Sequence, residues 1–211
     1  LSGILITHEH SDHIKGLGVM LRRYGLPVFA TAKTIDAVLD SRYIGKVDKD
    51  LFHPIEADHP FQLDDITVEA SHVWHDAADP VCYSFCSEGF KASIATDLGD
   101  YDEYLVEKIR DSHILFVEAN HDVNMLQVGS YPYYLKRRIL GDHGHLSNER
   151  CAQLIEDTVT EKTQKVYLGH LSKENNFAEL AYETVKVALE KPDFLMEVAK
   201  RDCISSITKV S

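Results

Sequence analysis

The feature that most constrains this chain is the run Thr7-His8-Glu9-His10-Ser11-Asp12-His13, which follows without a break on the apolar segment LSGILI at 1–6. An apolar segment bounded by its own turn reads as a buried strand, so the polar run has to sit at a strand end. In extended backbone, residues i and i+2 point to one side, which lets His8 and His10 reach a single cation together. As the chain turns toward a helix, Asp12 and His13 come to face a second cation nearby. Imidazole with carboxylate suits zinc, and also manganese or iron. A mere surface cluster of histidines is the plainer reading, but 12 histidines in 211 residues is an excess that needs a cause.

Other strand ends repeat the arrangement. Segments 61–73, 80–88, 91–97, 113–120 and 165–171 read as strands, with a turn at Asp64 and Asp65 inside the first. His75 and Asp76 follow one strand, Asp97 closes another, Asn120-His121-Asp122 follow ILFVEA, and His170 follows KVYLG. Strand ends that deliver His and Asp to one sheet edge are the arrangement an active site on a rigid scaffold shows. Helical spacing predicts helices over 12–24, 32–40, 101–110, 147–161 and 176–190, with Thr31 as the N-cap of the second and a short strand at 27–31. Mixed strands and helices without a low-complexity linker predict layered α/β packing in one domain, 1–211. The chain opens at Leu1 inside a core strand, which predicts a fragment with further strands before residue 1 and one sheet incomplete.

Charge and composition narrow the function. With 22 Lys+Arg against 34 Asp+Glu the net charge is −12, which excludes a basic nucleic-acid arm. No apolar run approaches the roughly 18 residues of a membrane span, and no basic segment precedes an apolar one at the amino terminus. A soluble, cytoplasmic protein that does not enter a membrane is expected. Cys82, Cys86, Cys151 and Cys203 include no C-x-x-C pair, so reduced thiols are expected, with Cys82 and Cys86 on one face of a strand.

The H-x-H-x-D-H string at 8–13 resembles the signature of the metallo-β-lactamase superfamily. That resemblance implies a two-metal site. Its third histidine falls on His75 in VWHDAADP, its bridging aspartate on Asp97 in SIATDLGD, and its last histidine on His170 in YLGHLSKENN. His72 is the rival of His75, which the HDA string and the strand end favour. The strings HDAADPVCYSF, TDLGDY, EANHD, GHLSNE and GHLSKENN resemble more specifically the YycJ/WalJ-like subgroup, from His8 to about Arg201. The resemblance implies an α+β fold, a four-layer αββα sandwich. It also implies two divalent ions, most simply zinc, and a phosphodiesterase or exonuclease acting on nucleic acid. The first strands of the superfamily, and an aspartate that supports the ligand loop, have no counterpart in this sequence.

Two cations roughly 3.5–4 Å apart bridge a water, lower its pKa toward ~7 and offer hydroxide to phosphorus or carbonyl carbon. Asp12 and His145 are the expected catalytic residues beside the ligands His8, His10, Asp12, His13, His75, Asp97 and His170. His145 precedes a helix capped by Ser147, whose amino terminus favours an anionic phosphate; the alternative is that Ser147 only caps and His145 only packs. His121, Asp76, Asn148 and Ser172 remain open between substrate contact and support of a ligand. Ser172, Asn175 and Asn176 are also capping candidates, and Trp74 reads as a packing residue. His53, His59 and His113 show no chemistry, and His143 reads as exposed. Lys136, Arg137 and Arg138 with Tyr131, Tyr133 and Tyr134 fit either a strand-holding patch or a solvated helix end. Two other functions stay open. The same site would hydrolyse a thioester, lactone or β-lactam, and a non-enzymatic module would use a closed zinc site, for which a second cluster is superfluous.

Overall fold

The computed structural model describes residues 1–189, 193–205 and 207–210. They form two compact units, Leu1–His72 with Asp76–Ser87, and Val73–His75 with Glu88–Ser211.

The first unit runs β1 (Ile4–Leu5), α1 (Ser11–Ile14), α2 (Leu17–Tyr24), β2 (Val28–Thr31), α3 (Ala32–Asp40), β3 (Phe52–Ile55), β4 (Phe61–Leu63), β5 (Ile66–His72) and β6 (Val81–Ser87). The single helix expected over 12–24 is instead two, α1 and α2, with Gly16 as the N-cap of the second. Gly25, at φ 59°, ends α2 in the left-handed region that glycine enters without steric cost. Thr31 caps α3 as expected, its side chain accepting from the Thr34 N–H at 3.4 Å. β1, β2 and β3 form a parallel sheet in that order. Strand β3 was not expected. It carries Pro54, which a sheet tolerates at an edge because the missing N–H breaks no inner ladder. β4, β5 and β6 pair antiparallel, with Asp64 at φ 54° in the turn. The core gathers Ile14, Leu17, Leu21, Val28, Ala30 and Val38. A second cluster joins Val68, Ala70, Val81 and Tyr83, whose hydroxyl donates to the Ile6 carbonyl at 2.9 Å.

The second unit runs β7 (Phe90–Ala95), α4 (Glu103–Ile109), β8 (Ile114–Glu118), α5 (Val123–Val128), α6 (Tyr133–Ile139), α7 (Asn148–Thr158), β9 (Lys165–Gly169), α8 (Ala178–Ala188) and β10 (Leu195–Val198). Its strands are parallel, in the order β10-β9-β8-β7. Each parallel neighbour needs a crossover, and the helices between strands supply it. Leu115, Val117, Leu154, Ile155 and Leu168 are buried as the strands and α7 pack together. α5, α6 and β10 were not expected from the sequence; all three are short. The helix expected over 176–190 is α8, and its last residue, Glu190, lies outside the described residues. Capping by Ser172 or Asn175 does not occur: Phe177 is the N-cap, and Ser172 Oγ accepts from Asn175 N in a turn of its own. The four cysteines are free thiols, and Cys86, toward the end of β6, is exposed while Cys82 is buried. No helix among the described residues is long and apolar enough to cross a membrane.

Parallel strands fix where chemistry can sit. Register puts the carboxyl ends of β7, β8 and β9 side by side, and in open parallel sheets the crevice beyond those ends is where ligands bind.

Candidate metal centre

In the first unit the ligand-rich run begins where β1 stops. The Thr7 carbonyl accepts from Val81 N at 3.1 Å, which ties the run to the start of β6, and His10 then serves as the N-cap of α1. This fold-back brings three imidazoles together. The His8 ring, fully buried, lies edge-on to His10 at 4.6 Å and 4.1 Å from His13. Thr7 Oγ1 stands 3.0 Å from His8 Nδ1 and 3.3 Å from His13 Nδ1, so one hydroxyl orients two rings. His10 Nε2 donates to the Asp76 carbonyl at 3.2 Å, which makes Nδ1 the lone-pair nitrogen of a neutral His10. Asp76 thus positions a ring through its backbone, with its carboxylate 3.8 Å away. Asp12 is exposed, 3.8 Å from His13 Nε2. Glu9 faces elsewhere and accepts from Ala78 N at 2.9 Å.

In the second unit the strand ends assemble a tighter group. Ligand atoms of Asp97, Glu118, His145 and His170 all lie within 4.8 Å of one another. Glu118 ends β8, is fully buried and takes four donors. His145 Nδ1 and His170 Nδ1 donate to Oε1 at 2.8 and 2.7 Å, and Leu98 N and Leu146 N donate to Oε2 at 2.8 and 3.4 Å. Burial alone would raise the Glu118 carboxyl, but the hydrogen bonds and charges of His145 and His170 outweigh it and hold the group below the usual carboxylate range. For His145, burial lowers the pKa and Glu118 more than offsets it, leaving the imidazole above its ordinary value.

An ionised carboxylate can only accept, so Nδ1 of His170 carries a proton, and in the neutral ring Nε2 carries the lone pair. His75 reaches the same tautomer by a different partner, its Nδ1 donating to the Gly144 carbonyl at 3.1 Å. Both Nε2 atoms turn toward Asp97 Oδ1, at 3.8 Å from His75 and 3.6 Å from His170. These gaps are too long for hydrogen bonds. They are close to the roughly 3.4 Å that separates two ligands each about 2.1 Å from a tetrahedral zinc. The donor set therefore fits a divalent cation, with both histidines oriented by a partner on the other nitrogen. Asp97 and His170 themselves sit at φ 60° and 55°, a left-handed backbone uncommon outside glycine and concentrated at functional sites.

A glycine secures the loop that carries His145. Gly99 N donates to the Trp74 carbonyl at 2.8 Å, and a Cβ at Gly99 would lie 2.3 Å from Asp142 O and Gly144 N. Any larger residue would push that loop off the end of β7. Of the two candidates for the third histidine, His75 is buried with the group just described. His72 is exposed at the end of β5, 3.7 Å from the Asp79 carboxylate.

Among the other expected residues, Ser147 caps α7, its Oγ accepting from Arg150 N at 3.2 Å. Asn148 is fully buried and exchanges amide hydrogen bonds with Asn176 at 2.8 and 3.2 Å, tying the start of α7 to the segment before α8. Ser172 donates its N–H to the Asn120 carbonyl at 2.7 Å. His121 is buried beside the start of α7. Trp74 is 43% exposed and lies parallel to the exposed His143 ring at 6.3 Å, so it is not a core packing residue. In the basic cluster, Lys136 Nζ donates to the Gln127 and Gly129 carbonyls at the end of α5, while Tyr133 and Tyr134 are exposed. Glu118 is the functional residue that the sequence reading missed. Its signal was a lone acid ending the apolar strand ILFVE.

Comparison with known proteins places these observations. Residues 1–171 match the family described as "Beta-lactamase superfamily domain". The chain is 44% identical over 193 residues to the exodeoxyribonuclease WalJ of Streptococcus pneumoniae, covering 92% of this chain and 72% of the relative. It is 43% identical over 194 residues to the exodeoxyribonuclease YycJ of Bacillus anthracis, at 92% and 73% coverage. Among solved structures, Zn(2+)-bound PqqB from Methylobacterium extorquens aligns over 93% of this chain and 70% of its own, with a TM-score of 0.68 at 18% identity. At that identity the likeness speaks for the fold, which is the metallo-β-lactamase fold expected from the sequence.

Proposed function

This chain belongs to the β-lactamase superfamily domain family, and from that membership we propose that it is a metal-dependent phosphodiesterase, an exonuclease that hydrolyses DNA. The observation that carries this reading is the pair His75 and His170, each with Nδ1 bound and Nε2 turned to Asp97. The ligand set is the one the family pattern assigns: His8, His10, Asp12, His13, His75, Asp97 and His170, for two divalent ions, most simply zinc. Ions held there would supply Lewis acidity and an acidified water, and would offset phosphate charge. That local charge matters in a chain with a net charge of −12, which has little else to attract a polyanion.

The chain's own residues supply orientation and a proton. Glu118 orients the ring of His170 and raises the pKa of His145, which favours a proton on the His145 ring that its Nε2 can pass to a leaving oxygen. Asp12 is assigned as the exposed catalytic carboxylate. Thr7 and Asp76 hold the imidazoles of the 8–13 run in their orientations.

The test compares hydrolysis of bis(p-nitrophenyl) phosphate, a thioester and a β-lactam chromophore by zinc- or manganese-loaded protein, with Asp97→Ala as the control. Phosphodiester turnover that disappears in the control is expected, and end-labelled DNA then shortens from one end. Carbonyl turnover alone would overturn the reading in favour of a carbonyl hydrolase.

A further inference from the structure

The start of α7 borders a cleft whose buried histidine has no role in the metal centre. His121 is 1% exposed, and neither ring nitrogen has a hydrogen-bond partner among the described residues. Burial pushes its pKa down to about 4, against the pull of Glu118, so the ring is neutral near pH 7 and has one N–H and one lone pair to offer. Buried polar groups are nearly always matched, and two unmatched atoms on one ring point to a partner that is not protein. The backbone that carries the ring is held in place, because the His121 carbonyl accepts from Asn148 N at 2.9 Å and His121 bridges to Ser147.

The cleft has a volume of about 200 Å³ and is lined by His121, His145, Ser147, Arg150 and Asp100, with Asp142 also lining it. Its lining mixes donors with the carboxylates of Asp100 and Asp142. α7 is 11 residues long, and its amino terminus carries the positive end of the helix dipole. Ser147 Oγ accepts from Arg150 N and keeps its own proton to give. Asp100 is already occupied, accepting from Arg150 Nε and Nη2 at 2.8 and 2.6 Å, so its charge is balanced and Arg150 is held in one place. Asp142 is exposed.

We infer that this cleft is a phosphate subsite, in which the His121 ring, the Ser147 hydroxyl and the positive end of the α7 dipole hold a phosphate group of the substrate other than the one being cleaved. The inference rests on the phosphodiesterase reading and deepens it. Small-molecule pockets run to roughly 300–1,000 Å³, so this smaller cleft takes a group, not a whole nucleotide. A phosphate at a strand end and an internal phosphate beside the scissile one share this chemistry, and substrates with different ends separate them.

The test uses metal-loaded protein, the variants His121→Leu and His121→Asn, and inorganic phosphate as the probe in calorimetry and thermal melts. Kinetics follow on oligodeoxynucleotides of one sequence bearing a 5′-phosphate, a 3′-phosphate or hydroxyls only. His121→Leu is expected to melt at the parent temperature or above, since it removes no hydrogen bond. It is also expected to bind phosphate about tenfold or more weakly, the effect of losing one hydrogen bond to a charged group. KM rises with kcat little changed, and His121→Asn recovers part of the affinity. An effect confined to one phosphate-ended substrate assigns the end phosphate; an equal effect on all assigns the internal one. Equal phosphate affinity in parent and His121→Leu overturns the subsite, as does a lower melting temperature with affinity intact. If phosphodiester turnover persists while the phosphate affinities are equal, the subsite fails and the nuclease reading stands. If His121→Leu weakens phosphate in a chain with no phosphodiester turnover, the subsite stands and the nuclease reading fails.

Discussion

The two regions that carry the candidate ligands are built by opposite means. In the 7–13 run the candidate ligands are neighbours in sequence. They are oriented by one hydroxyl and one backbone carbonyl at 3.0–3.3 Å, and Asp12 stands exposed at its edge. In the Asp97 group, the donors to Glu118 come from 20, 27, 28 and 52 positions away, brought together by parallel register and held at 2.7–3.4 Å on one fully buried carboxylate. The first region carries chemistry as a local sequence word. The second shares its residues with the core, so there the site and the fold stand or fall together.

Glu118→Ala is the strongest attempt to break that contrast. It strands the Nδ1 donors of His145 and His170 and the Leu98 N–H in the interior, and removing one partner of a buried charged pair costs roughly 3–5 kcal/mol. Metal affinity should fall about 10–100-fold as well, since the orientation of His170 is lost. Urea unfolding and a zinc titration read the two effects separately. A stability change below about 1 kcal/mol would show that the second region is no more tied to the fold than the first.

The same contrast explains what could be read from the sequence. The run at 8–13 needed only period-two spacing after an apolar strand, and Asp97 and His170 stood out as polar residues closing apolar strands. Glu118 closes its strand in the same way, yet nothing within a few positions of it marks what it accepts, because its partners arrive only when β7, β8 and β9 align. Trp74 was misread for a related reason. Apolar character predicts burial only on average, and its exposure beside His143 depends on a loop secured by Gly99. Strand β3 was missed because Pro54 and His53 obscure a short edge strand, whereas helix α3 was plain from its Thr31 cap.

A pH series sharpens the comparison, because it asks whether coupling to the fold extends to a residue that binds no metal. His121 has its folded pKa depressed to about 4 from an ordinary 6.5, so between those values the unfolded chain binds a proton that the folded chain refuses. Stability should therefore fall as pH drops from about 6.5 to 4, by up to about 3 kcal/mol at 1.36 kcal/mol per unit. The difference between parent and His121→Leu across that window isolates the residue from carboxylates titrating nearby. A parent and variant that weaken in parallel with acid would sink the assignment of a buried, neutral His121.

The smallest effect on the fold is expected for His10→Ala. His10 is half-buried, donates to the Asp76 carbonyl at 3.2 Å, and caps α1 without a side-chain bond. Substitutions at such positions usually shift stability by less than about 1 kcal/mol. Phosphodiester turnover should nonetheless be lost, because an assigned ligand is gone. Urea unfolding of the His10→Ala, Glu118→Ala and double variants then decides how local the first region is. If the run is a local word attached to a strand end, the two stability changes add within about 0.5 kcal/mol, as independent sites do. A His10→Ala loss that rivals that of Glu118→Ala would mean the run, too, is woven into the core. Its legibility in the sequence would then be a matter of spacing alone, not of structural independence.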